Sequence, residues 1–79
     1  MNDPKSTLIK LIGAEATYDL VAAKARALQI RKPFWQAEAL MEIIKVEATR
    51  DPAAAKATAD QIHDLHQKVQ ALLLIVDRL

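Results

Sequence analysis

The sequence predicts an all-α protein on three observations. Apolar residues recur in 3-4 steps along most of the chain, an aspartate is followed by proline at both Asp3-Pro4 and Asp51-Pro52, and glycine occurs once in 79 residues. The expected architecture is one domain over residues 1–79: three helices running up, down and up, the second short, associating into a dimeric helical bundle.

Helix one is expected over about residues 4–31. Asp3 is a good N-cap, and Pro4 suits the first helical position because its missing N–H is no loss there. Its best seam reads Leu11, Ala14, Tyr18, Val21, Ala25, Leu28, and the cations Arg26, Arg31 and Lys32 suit the negative end of the helix dipole. Pro33 disfavours α geometry at Lys32 and ends the helix. Gly13 weakens it by up to about 1 kcal/mol relative to alanine, which makes that position the expected bend.

Helix two, about 33–49, has the seam Phe34, Ala37, Met41, Ile44, Ala48. Leu40 and Ile43 widen it on one side, and Trp35, Ala39 and Val46 on the other. Only Glu38, Glu42, Lys45 and Thr49 form a polar strip, so this helix is expected to be the central one. Helix three, about 52–78, starts at the Asp51-Pro52 cap and runs through alanines of high helix propensity. Its seam is Ile62, Leu65, Val69, Leu72, Val76, Leu79, and the run from Ala71 to Val76 is wholly apolar.

Helices of this length would reach roughly 40 Å for the first and third and about 25 Å for the second. The bundle would then have two overhanging ends. Leu8, Ile9, Leu11 and Ile12 form one; Val69, Leu72, Leu73, Ile75, Val76 and Leu79 form the other, and Trp35 is a candidate anchor beside a turn. A second copy of the chain would cover both, making a homodimer. The competing arrangement is a monomer in which helix one breaks near Gly13 and folds back over the end of helix three. The hydrophobic content of 52% favours association, since a chain this short buries only roughly 60 to 65% of its unfolded surface on its own.

Composition removes several function classes. No cysteine excludes disulfides and thiolate metal sites, and the N-terminus lacks the order of a signal peptide, so a cytoplasmic location is expected. No apolar run approaches the ~18 to 20 residues of a membrane span. A single glycine leaves no glycine-rich phosphate loop, and no activated nucleophile is recognisable, so neither a cofactor nor catalysis is expected.

Three polar groups remain. Asp60, His63 and Asp64 have helical metal-ligand spacing, but they lie away from the Ile62, Leu65, Val69 seam, whereas bundle metal sites project inward; no metal is expected. His66 flanks the seam, where an interface would feel its protonation, but a half-exposed histidine without a task is the preferred reading. Lys24, Arg26, Arg31 and Lys32 form the only basic cluster, with Trp35 beyond it, and support the alternative of a nucleic-acid-binding dimer. A net charge of +1 and a pI near 8.1 argue against that alternative. The function expected from the sequence is a small non-catalytic, homo-oligomeric regulator or adaptor acting through an unidentified protein partner.

Overall fold

The computed structural model describes residues 4–78. Asp3, the expected cap of the first helix, and Leu79, the last residue of the third seam, lie outside them. The described chain is all-helical, but with five helices in place of the expected three: α1 (Pro4–Ala16), α2 (Leu20–Leu28), α3 (Pro33–Arg50), α4 (Pro52–Ala59) and α5 (Leu65–Arg78). Both long helices of the sequence reading are therefore helical hairpins.

Each break has a local cause. At the first, the Thr17 hydroxyl donates to the Ala14 carbonyl at 2.7 Å, and backbone bonds from Thr17 to Ala14 and from Tyr18 to Glu15 tighten the last turn. Asp19 then restarts the helix, its side chain accepting from the Ala22 N–H at 3.1 Å. At the second, Gln61 and Ile62 close a turn on Thr58 and Ala59, and the Asp64 carboxylate accepts from the Gln67 N–H at 3.0 Å to open α5. Ile62 is buried and pins this turn to the core. The break near Gly13 that the competing monomer arrangement required does not occur. Gly13 lies within α1, where a Cβ would meet the Cβ of Glu42 at 3.3 Å, so its missing side chain serves the close approach of α1 to α3.

Helix α3 is central and packs against all four others, while α1 pairs with α2 and α4 with α5. Neither hairpin's helices make a close backbone approach to those of the other, so the two meet through α3. Ala37, Ala39, Leu40, Met41, Ile43, Ile44 and Ala48 are buried on it, and its polar strip is left open between α1 and α5. The radius of gyration is 11.5 Å, against about 11.6 Å for a compact domain of this length. The overhanging ends inferred from unbroken helices are absent: the longest dimension is 35 Å.

The seam inferred for helix one faces outward. Leu11, Ala14, Tyr18, Val21, Ala25 and Leu28 are all exposed, and the inward residues are Ile12, Ala16, Ala23 and Ala27. Small side chains there let α2 lie close enough to α3 for Lys24 to reach the buried Glu47 at 2.6 Å. The register of α5 is divided in the same way: Ala71 and Ile75 enter the core, while Leu65, Val69 and Val76 do not.

Candidate functional site

The most prominent surface feature follows from the register of α5. Leu65, Val69, Leu73 and Val76 form a single apolar stripe on the outside of the helix, with Leu65 75% and Val76 65% exposed and Leu72 half-buried beside them. Residues at these spacings share one face, and the buried Gln67, Ala71 and Ile75 share the opposite one. The larger apolar face of α5 is thus the uncovered one.

Two grooves border α3, the first along its polar strip and the second at Trp35. The first, of about 700 Å³, lies between α3 and α5 over Met41, Leu73, Leu74 and Val76, and is rimmed by Glu38, Glu42, Lys45 and Asp77. Lys45 is paired with Glu42 at 2.6 Å, whereas Glu38 and Asp77 make no ion pair among the described residues. This groove has an acidic edge. The second, of about 490 Å³, lies over Leu8, Ile9, Ile30 and Trp35 and is rimmed by Arg26, Arg31 and Lys32. Arg26 makes a two-pronged contact with the Glu15 carboxylate, Nε to Oε1 at 2.8 Å and Nη2 to Oε2 at 3.3 Å. That hydrogen bonding, with the carboxylate charge, raises the Arg26 pKa above its ordinary value. Arg31 and Lys32 make no ion pair among the described residues, so this edge is cationic. Trp35 holds its place beside Phe34, with ring centroids 5.0 Å apart and planes at 87°. Trp35 and Glu38 are one helical turn apart on α3, so the grooves are neighbours.

The structure divides the residues singled out in the sequence. Leu8, Leu11, Val69, Leu73 and Val76 are exposed, and Ile9, Trp35 and Leu72 are half-buried. Ile12 and Ile75 belong to the chain's own core. The basic cluster is split: Lys24 is bound to Glu47 and Arg26 to Glu15, whereas Arg31 and Lys32 make no ion pair among the described residues.

The metal-spacing argument rested on a continuous helix, and residues 60–64 form the α4–α5 turn instead. Asp60 lies 3.7 Å from both Lys56 and Lys68, Asp64 caps α5, and His63 is exposed. Among the described residues no group of three or more His, Cys, Asp or Glu side chains could hold a metal ion. His66, on exposed α5 surface, lies with its Nε2 3.2 Å from Gln70 Nε2, a contact that fits a neutral ring protonated at Nδ1.

Three buried polar residues, Glu47, Thr58 and Gln67, escaped the sequence reading. Glu47 joins α2 to α4, accepting from Lys24 and, at 2.6 Å, from the Thr58 hydroxyl. Gln67 donates to the Phe34 carbonyl at 3.3 Å, and its buried Oε1 has no hydrogen-bond partner among the described residues. Glu47 stands beside Val46 and Ala48 in a helix with a continuous polar strip elsewhere, so only the placement of α2 and α4 reveals its burial. No helix of the described residues is long and apolar enough to cross a membrane. Compared with family models, curated proteins and solved structures, the chain matches none.

Proposed function

We propose that this chain is a non-catalytic protein-interaction module that self-associates and acts as a regulator or adaptor of a partner protein. One observation carries the reading: the outward stripe of Leu65, Val69, Leu73 and Val76 on a helix whose inward face is smaller. Such a stripe is costly to leave in water, at about 25 cal/mol per Å² of apolar surface, and a covering helix removes that cost. The spacing of the stripe suits helix-on-helix recognition, in which anchors fall at i, i+4 and i+7. Nucleic acid fits less well, since Lys24 and Arg26 are committed to carboxylates within the chain.

The test is sedimentation of the wild-type chain and of Val69→Asp and Val76→Asp at micromolar concentration. Both positions are exposed, so the variants should keep their helical content and lose their association, with the melting temperature falling only to that of the unassociated chain. A wild-type monomer across the dilution series would overturn the reading.

A further inference from the structure

We infer that the partner copy is selected and set in register by charge: the exposed α5 ridge beside the acid-edged groove of one chain enters the cation-edged groove of the other, and two-fold symmetry makes the same contact twice. The inference rests on the self-association proposed above and adds its geometry. Four side chains carry it. Glu38 and Asp77 on one groove, and Arg31 and Lys32 on the other, make no ion pairs among the described residues, although Glu42, Lys45 and Arg26 beside them all do. Among the described residues, two acids and two bases are thus left without ion pairs at the edges of two apolar grooves.

The apolar parts match as the charges do. Leu73 and Val76, exposed on the outer face of α5, border the acidic groove, and Leu8 and Trp35 line the cationic one, so seating the α5 ridge of one chain in the cationic groove of the other buries apolar surface beside opposite charges. The neighbouring positions of Trp35 and Glu38 on α3 allow a two-fold axis to pass between the grooves, placing each on its complement in the other copy. Both halves of the contact are present on every chain, so the assembly closes as a dimer. A net charge of only +1 leaves little overall repulsion between copies, and the local pattern can decide the pairing.

Sedimentation of designed charge variants tests this. Arg31→Glu with Lys32→Glu gives a chain acidic at both grooves; Glu38→Lys with Asp77→Lys gives one basic at both. All four positions are exposed or half-buried, so helical content should change little. Each variant alone should dimerise at least about 30-fold more weakly than wild type, because attractive contacts become like-charge ones. An equimolar mixture of the two should regain the dimer mass, with Trp35 emission returning to its wild-type position. Wild-type affinity should also fall as salt shortens the Debye length below about 10 Å. Should a charge-reversed chain fail to fold, Arg31→Gln with Lys32→Gln and the wild-type salt series still read the same contact.

A wild-type dimer that ignores both charge reversals and salt, yet dissociates with Val69→Asp, would overturn the inference and leave self-association standing, with α5 pairing along its own length. Open-ended oligomers in the mixture would overturn the two-fold arrangement. A wild-type monomer would overturn both readings.

Discussion

Removing Lys24 should unfasten the protein more than its half-exposed surface position suggests. Its Nζ lies 2.6 Å from Glu47 Oε2, and the Glu47 side chain is only 2% exposed against 32% for Lys24. Thr58 supplies the other contact, at 2.6 Å to Oε1, while keeping a 3.1 Å approach to the Ala54 carbonyl. Lys24→Met keeps the aliphatic stem and strands a buried carboxylate. Breaking a fully buried pair costs ~3–5 kcal/mol, and water reaching the lysine side lowers that to about 2 kcal/mol here. A domain of this size has on the order of 5 kcal/mol in total. At ~4–8 °C per kcal/mol, the melting temperature should fall by about 8–16 °C. Replacing the whole triad, Lys24→Met with Glu47→Leu and Thr58→Val, should restore most of that loss, because no charge or hydroxyl is then left unpaired. Thermal and urea unfolding followed by circular dichroism measures both. A Lys24→Met protein melting within about 2 °C of wild type would refute the argument, as would a triad variant no more stable than the single one.

The helix breaks and the α4–α5 turn give two further expectations. Asp19→Ala and Asp64→Ala should each cost about 1 kcal/mol in urea unfolding, and the asparagine variants much less, since the amide oxygen still caps; equal losses for alanine and asparagine would show that capping is not the cause. Chelator or added zinc should leave the melting temperature unchanged, with Asp60 beside two lysines and Asp64 occupied as a cap; a zinc-dependent rise lost in His63→Ala would reinstate a metal site.

The helical class and the starts at Pro33 and Pro52 were legible in the sequence because proline geometry and aspartate capping act within a turn of the chain. So was the central place of α3, whose polar strip is too narrow for a surface helix. The breaks at residues 17–19 and 60–64 also had local signals, Asp19 and Asp64 among residues of modest helix propensity. An unbroken 3-4 spacing passed through both and outweighed them. Periodicity detects a continuous phase of apolar residues, and here that phase crosses a turn without marking it.

By itself, the sequence determined that the chain is helical, where proline opens two of its helices, and that it carries more apolar residues than one small bundle can cover. Only the tertiary structure decided which of them are covered. On α2 the core takes Ala23 and Ala27 and leaves Val21 outside, and on α5 it takes Ala71 and Ile75 and leaves Leu65 and Val76 outside. Small inward faces let four helices close around α3, bring Lys24 and Thr58 to Glu47, and set the charges of Arg31, Lys32, Glu38 and Asp77 at the edges of neighbouring grooves. Side-chain spacing fixes which residues share a face, but the packing of the whole chain chooses which face turns inward.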